Sequence, residues 1–389
     1  MQDSLVSISP AKWGLLKNSR ELSEGVNKSM LIPSHLPTLG AESTDLHQAA
    51  LTWFSHARFG LFLHYGLYSL IGKGEWYMHH AHINPEDYAR WKERFTADGF
   101  DAEAITDLAL RAGMRYVTLT TRHHDGFCLF ETAQTDFNSL NTPARRDLVG
   151  ELAAACNKKG LGLFLYYSYG LDWRHPDYDL NSPQKMARYV AFMKAQIREL
   201  LTQYGPIAGV WFDPVGATYA YPQLFELEST YKLIWALQAQ ALIAYKQGST
   251  GTEDFASCEF QMESLADFPP VKRLGATAVA RATAAWAKNR GKHNEICTTL
   301  QEETWGYHEN GRRRRTAEEV RVMLANAAWE RANLLLNASV LPDGSIHRGD
   351  RRVLCEIGAC LDHYGWPAPA PLPKGEAPLP IHGQGAQLR

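Results

Sequence analysis

The feature that most constrains this 389-residue chain is the repeated alternation of short apolar runs with amphipathic helical segments. The apolar runs end in polar residues and are typical of strands buried on both faces of a parallel sheet. Helical patterns follow the runs, so the order predicts βαβ units and favours a (β/α)8 barrel, with a doubly wound sheet as the alternative. The predicted strands lie at 59–64, 114–121, 161–168, 209–213, 242–245, near Phe255, 296–300 and 333–337.

The two ends of the chain depart from this alternation. Residues 1–45 have mixed polarity and are interrupted by prolines, so we expect an N-terminal extension there. The (β/α)8-like domain is expected over residues 46–365. Residues 366–389 are rich in proline and are expected to form an extended tail. The fold class predicted is therefore α/β, a (β/α)8-like (TIM-type) barrel without a C-terminal β-sandwich domain.

Charge and apolar content exclude several classes of protein. Lys and Arg number 40 against 42 Asp and Glu, and a net charge of -2 supplies no field to attract nucleic acid. No apolar stretch is long enough to span a membrane, and the N-terminus lacks the pattern of a leader peptide. The 6 cysteines include no C-x-x-C pair, which indicates free thiols. We therefore expect a cytoplasmic protein with no nucleic-acid or membrane partner.

Polar side chains follow or end most of the predicted strands. In a barrel of this type the active site lies at the carboxyl ends of the strands, so we expect these side chains to converge. The polar residues assigned to these ends are His64, His123, His124, Tyr166, Asp213, Lys246, Glu259 and Glu295.

Three of these residues are carboxylates. Asp213 directly follows an apolar run and precedes a proline, which suits a nucleophile or a metal ligand; a helix cap is the alternative. Glu259 and Glu295 are candidates for the second carboxylate that glycoside hydrolysis requires, and the alternative for each is a surface charge.

The adjacent pair His123 and His124 has two interpretations. Imidazoles are standard metal ligands, but consecutive residues of a strand point to opposite faces. No H-x-x-H, H-x-H or H-E-x-x-H pattern accompanies the pair. Hydrogen bonding to a polar substrate or a core partner is therefore favoured over a metal site.

Taken together, these motifs resemble the α-L-fucosidases of glycoside hydrolase family 29. The resemblance runs in the family's order from about residue 51 to 347. It rests on FGLFLHYGLYS (59–69), GEWY (74–77), TRHHDGF (121–127), YYS (166–168), WFD (211–213), TWGY (304–307) and NLLLN (333–337). The resemblance implies a retaining exo-glycosidase that acts on terminal α-L-fucose through a covalent fucosyl-enzyme, without a metal or organic cofactor. The alternatives are a catalytically weak fucose-binding protein and a metal-dependent hydrolase on the same barrel.

The resemblance also assigns roles to residues. Asp213 matches the nucleophile, and Glu259 is the preferred acid/base, with Glu295 as the alternative. The positions expected to bind the sugar are His64, Glu75, Trp76, His123, His124, Tyr166, Trp211 and Lys246. Lys246 stands where many relatives carry an arginine. Because shorter members without the β-sandwich tend to oligomerise, a homo-oligomer acting on a fucosylated oligosaccharide or glycoconjugate is expected.

Overall fold

The computed structural model of the protein describes residues 43–302, 304–311 and 313–373. Most of the predicted N-terminal extension and the part of the tail beyond residue 373 lie outside the described residues. Eight parallel strands, each hydrogen-bonded to its neighbour in chain order, close into a barrel. The strands are β1 (Phe59–His64), β2 (Tyr116–Arg122), β3 (Gly162–Ser168), β4 (Gly209–Asp213), β5 (Leu242–Lys246), β6 (Phe255–Glu259), β7 (Asn294–Thr299) and β8 (Ala332–Ser339).

Helices surround the barrel, and short ones occupy its connecting loops. They are α1 (Ser43–Ala57), α2 (Leu67–Ile71), α3 (Tyr77–His80), α4 (Pro85–Ala89), α5 (Ala102–Arg111), α6 (Leu148–Lys159), α7 (Pro183–Thr202), α8 (Gly216–Ala220), α9 (Leu227–Leu237), α10 (Pro269–Arg273), α11 (Ala276–Asn289), α12 (Ala317–Trp329) and α13 (Arg348–Tyr364).

Several helices begin where the sequence supplies a capping side chain. The Asp101 carboxylate accepts the Ala104 N–H at the start of α5, at 3.0 Å. At the start of α12, Thr316 and Glu319 form a reciprocal capping box. Such caps satisfy N–H groups that the first helical turn leaves without partners. Local sequence therefore fixes where these helices begin.

The amino-terminal end of the barrel is covered by Phe54 of α1. Its ring stacks on Phe255 of β6, with the ring centroids 4.1 Å apart. The Asn333 side chain of β8 donates a hydrogen bond to the Phe54 carbonyl oxygen at 2.8 Å. The helix that precedes β1 is thus bound to the opposite end of the barrel from the loops that follow the strands.

A polar layer lies in the barrel interior around Glu295. Its carboxylate accepts hydrogen bonds from Tyr116 Oη at 2.6 Å, Ser257 Oγ at 2.6 Å and Trp211 Nε1 at 3.0 Å. Glu295 is the second residue of β7, so its assignment to a carboxyl end of a strand is wrong. β7 begins two residues before the predicted apolar run 296–300. It can include the buried Glu295 because donors from β2, β4 and β6 satisfy the carboxylate.

The closed barrel confirms the predicted fold class and excludes the doubly wound sheet. Helices α5, α6 and α7 lie between successive strands from β1 to β4, as the predicted βαβ order requires. All six cysteines are free, as predicted. Among the described helices, none is both long and apolar enough to cross a membrane.

Candidate active site

Asp213 ends β4 and is buried at the carboxyl mouth of the barrel. Its Oδ2 accepts a hydrogen bond from Tyr166 Oη at 2.8 Å and lies 3.5 Å from His124 Nε2. Its Oδ1 is buried, accepts no hydrogen bond from the described residues and lies 3.4 Å from the Lys246 ammonium. Burial raises the pKa of Asp213, and the positive charge of Lys246 opposes this effect. One oxygen is therefore anchored while the other is left available for chemistry.

Glu259 ends β6 and is linked to Asp213 through Lys246, the last residue of β5. The Lys246 ammonium lies 2.7 Å from Glu259 Oε1 and 3.4 Å from Asp213 Oδ1. Burial opposes the positive charge of Lys246, but the two carboxylates outweigh it and raise the pKa of the ammonium. The structure thus brings three of the predicted residues together at the ends of β4, β5 and β6.

These contacts limit the spacing of the two carboxylates. The oxygens that face Lys246 cannot be farther apart than its two contact distances combined, 3.4 Å and 2.7 Å. This upper limit is shorter than ~6.5 Å, the smallest carboxyl-to-carboxyl separation typical of inverting glycosidases. In retaining glycosidases the two carboxyl groups are ~5–5.5 Å apart. The geometry of Asp213 and Glu259 therefore suits a retaining pair.

Two residues of the first strand and its loop form another wall. The Nδ1 atom of His64 is 2.8 Å from Asn337 Oδ1, and burial lowers the pKa of His64 to about 3. Glu75 accepts the Gly306 N–H at 2.7 Å, and burial raises the pKa of its carboxyl to about 7. A neutral imidazole and a carboxyl that is half protonated near neutral pH are both suited to sugar hydroxyls, which donate and accept.

His123 and His124 both contact this site because β2 ends at Arg122, before the pair. The His123 ring stacks on Tyr166 at 5.4 Å, and its Nδ1 has no hydrogen-bond partner within the described ranges. His124 Nδ1 is 2.6 Å from Ser168 Oγ. Burial lowers the pKa of both rings well below the usual range, which favours neutral imidazoles.

The described residues contain no group of three or more His, Cys, Asp or Glu side chains placed to hold a metal ion. The local contacts of the histidine pair are a ring, a hydroxyl and the Asp213 carboxylate. Their arrangement fits the interpretation in which the pair binds a polar substrate.

The two tryptophans predicted to line the sugar lie in different environments. Trp76 is half-buried, and its ring lies 5.2 Å from that of His124. Trp211 is 2% exposed, its indole N–H donates to Glu295, and Tyr166 stacks on it at 5.3 Å. Trp76 therefore lies at the rim of the site, whereas Trp211 supports Tyr166 from the barrel interior.

Three contributors were not singled out from the sequence. Asn337 and Ser168 fix the rings of His64 and His124, as described above. Trp173 donates its backbone N–H to the His124 carbonyl oxygen at 2.8 Å and packs on Trp76 with a centroid distance of 5.1 Å. The available signal was positional: Asn337 and Ser168 lie near strand ends, and Trp173 follows the third strand.

A parallel barrel with two closely spaced carboxylates in its carboxyl mouth, surrounded by neutral imidazoles and aromatic rings, defines a glycoside hydrolase site. The family model described as Alpha-L-fucosidase matches residues 38–366. The chain therefore belongs to the alpha-L-fucosidase family, glycoside hydrolase family 29.

Curated relatives agree with this assignment. The chain is 28% identical over 345 residues to the tissue alpha-L-fucosidase of Bos taurus, covering 80% of this chain and 67% of that protein. It is likewise 28% identical to the tissue alpha-L-fucosidase of Homo sapiens, covering 80% of this chain and 68% of that protein.

Solved structures share the fold. Alpha-L-fucosidase isoenzyme 1 from Paenibacillus thiaminolyticus superposes with a TM-score of 0.71 at 33% identity, covering 85% of this chain and 80% of that chain. A GH29 alpha-L-fucosidase from Bacteroides thetaiotaomicron, trapped as a covalent intermediate, gives a TM-score of 0.68 at 25% identity, with 80% and 75% covered. AlfC from Lactobacillus casei, in complex with its α-L-fucose product, gives 0.64 at 26% identity, with 81% and 98% covered.

Proposed function

We propose that this glycoside hydrolase releases terminal α-L-fucose from glycans or fucosides with retention of configuration, using Asp213 as nucleophile and Glu259 as acid/base. The observation that carries the proposal is the close spacing of Asp213 and Glu259 about Lys246. A relative with a solved structure forms a trapped covalent intermediate, which supports the same double displacement here.

In the first step, Asp213 Oδ1 bonds to the anomeric carbon as the bond from that carbon to the leaving oxygen breaks. The leaving oxygen takes the proton of the Glu259 carboxyl, so the departing group is a neutral alcohol. Tyr166 holds Asp213 Oδ2 at 2.8 Å, which orients the carboxylate so that Oδ1 performs the attack.

In the second step, a water molecule attacks the anomeric carbon and gives its proton to the Glu259 carboxylate. The ester bond to Asp213 Oδ1 breaks, which restores the aspartate and frees fucose in its original configuration. Each carboxyl therefore returns to its starting protonation state within one cycle.

Glu295 is a poor candidate for the acid/base role. The residue is 1% exposed, and its carboxylate already accepts hydrogen bonds from Tyr116, Ser257 and Trp211. Delivery of its proton to a leaving oxygen would require breaking this buried network, whereas Glu259 shares Lys246 with the nucleophile.

The proposal is tested with 4-nitrophenyl α-L-fucoside and a fucosylated oligosaccharide, following the anomer first formed by proton NMR. The expected result is release of α-L-fucose before mutarotation. First release of the β anomer, or turnover of other nitrophenyl glycosides with fucosides left intact, would contradict the proposal.

We also propose that the substrate is a fucosylated oligosaccharide or glycoconjugate and that the protein works as a homo-oligomer. Large exposed side chains near the ends of α12 and α13 support self-association, because Trp329 is 56% exposed and Tyr364 is 64% exposed. Light scattering after gel filtration measures the assembly. Trp329→Glu is expected to lower the measured mass, and an unchanged mass would count against a role for Trp329 in assembly.

A further inference from the structure

The Lys246 side chain has a role that sugar binding does not explain. It is largely buried, with 13% of the side chain exposed, and its ammonium contacts an oxygen of each catalytic carboxylate. A residue that served only to bind a hydroxyl would need neither contact. Its position between β4 and β6 instead places one positive charge against both reacting carboxylates.

We propose that Lys246 is the shared counter-ion of Asp213 and Glu259, and that its single charge sets the pH window of turnover. This inference rests on the proposed fucosidase function, since it assigns the two carboxyls their nucleophile and acid/base roles.

The charges of the proposed cycle explain why one cation is sufficient. Before the first step, Asp213 is ionised and Glu259 carries a proton, so Lys246 faces one negative charge. After that step, Asp213 is an uncharged ester and Glu259 is ionised, so Lys246 again faces one negative charge. Because the ammonium already contacts both carboxylates, the charge is balanced in both states without relocating the lysine.

Among the residues that the structure describes, the other groups around the site cannot provide the same balance near neutral pH. The nearby imidazoles have lowered pKa values because of their burial and are neutral there. In the described part of the chain, the titratable groups facing Lys246 and the two carboxyls are His64, Glu75, His123, His124, Tyr166 and Cys297. Tyr166 and Cys297 have pKa values raised well above their usual values, chiefly through burial, and contribute no positive charge.

The test compares Lys246→Met, which removes the charge at similar volume, with Lys246→Arg, which keeps it. In Lys246→Met, both carboxyls should hold their protons to higher pH, because a cation within ~4 Å favours the ionised form by one to three pH units. Both limbs of the kcat/KM profile should therefore move upward by about one pH unit or more. Lys246→Arg should keep the wild-type pH window even if its rate falls.

Lys292→Met is the matched control, because Lys292 is also a partly buried lysine with polar contacts. Its ammonium donates to the Gly251 carbonyl oxygen at 3.0 Å and to Asn289 Oδ1 at 2.8 Å, away from the two catalytic carboxylates. Its pH window should match the wild type. A Lys246→Met profile with unmoved limbs and only a higher KM would overturn the proposal, as would equal displacement in Lys246→Arg.

A second readout does not depend on turnover. Carbon-13 NMR of protein labelled at Asp and Glu carboxyls, assigned with Asp213→Asn and Glu259→Gln, follows both titrations directly. Lys246→Met should raise both midpoints, and Lys246→Gln provides the comparison if the methionine variant does not fold. Wild-type protein inactive on fucosides would refute the proposed function, while unchanged midpoints would refute the counter-ion role by itself.

Discussion

Glu75 makes the stability of this protein depend on pH in a direction that can be worked out. Burial raises the pKa of its carboxyl from 4.5 to about 7, and the residue is 4% exposed. The folded state therefore binds the proton more tightly than the unfolded state does. This contribution to stability is complete below pH 4.5 and is lost as pH rises toward about 7.

The size follows from 1.36 kcal/mol for each unit of pKa difference. Between pH 5 and 8, the wild type should lose about 2–3 kcal/mol of unfolding free energy through Glu75. Glu75→Gln cannot ionise, and its amide oxygen can still accept the Gly306 N–H. The variant should therefore escape this loss, so its unfolding free energy relative to wild type should rise by about the same amount over that range.

Guanidinium unfolding followed by tryptophan fluorescence at pH 5, 6, 7 and 8 measures this difference. The altered hydrogen bond should shift the unfolding free energy of the variant by the same amount at every pH. The diagnostic quantity is therefore how the difference between variant and wild type changes with pH. If the wild-type and Glu75→Gln stabilities remain parallel from pH 5 to 8, Glu75 is not held protonated by burial and the reasoning is refuted.

Three further predictions concern the catalytic cycle. Asp213→Gly should lose about three decades of rate or more, and azide should restore turnover as β-fucosyl azide; near-normal activity without azide would contradict the nucleophile assignment. Glu259→Ala should hydrolyse a fucosyl disaccharide far more slowly than a nitrophenyl fucoside, and azide should accelerate its turnover. Glu295→Ala should show no such contrast between the two substrates. It should instead lose about 3 kcal/mol or more of stability, because three buried donors lose their acceptor. Wild-type activity should survive dialysis against EDTA, and His123→Ala should weaken transition-state binding, measured as a fall in kcat/KM. A stoichiometric metal whose removal stops turnover would contradict the assignment of the histidine pair to substrate binding.

Much of the fold could be predicted because a parallel barrel gives each buried strand a continuous apolar run. The strand ending at Asp213 is an example, since its limits in the structure match the predicted run 209–213. The start of β7 was harder to predict, because the strand begins with the polar residues Asn294 and Glu295. Their burial is permitted only by hydrogen bonds from other strands, and periodicity carries no information about such partners.

The candidate site could be predicted where a carboxylate or imidazole side chain lies at the end of a predicted strand, because the residue type indicates its chemistry. Asp213, Glu259 and the histidine pair meet that condition. The residues that orient the predicted side chains do not meet it. Asn337, which orients the predicted His64, is 273 positions away in the chain, so no local pattern connects the two. Trp211 shows a different limit: the family resemblance assigned it to sugar binding, whereas in the structure its indole N–H donates to Glu295 and its ring stacks on Tyr166.

The hydrogen-bonded layer around Glu295 also constrains how this protein can change in sequence. Tyr116, Trp211 and Ser257 donate to one carboxylate from three different strands. Replacing Glu295 by an apolar residue would leave those donors unsatisfied, and replacing one donor would leave the carboxylate short of a partner. Substitutions at the four positions should therefore be acceptable mainly in combination. Laboratory evolution of the barrel interior would then advance through coupled exchanges, while positions on the outer helices vary one at a time.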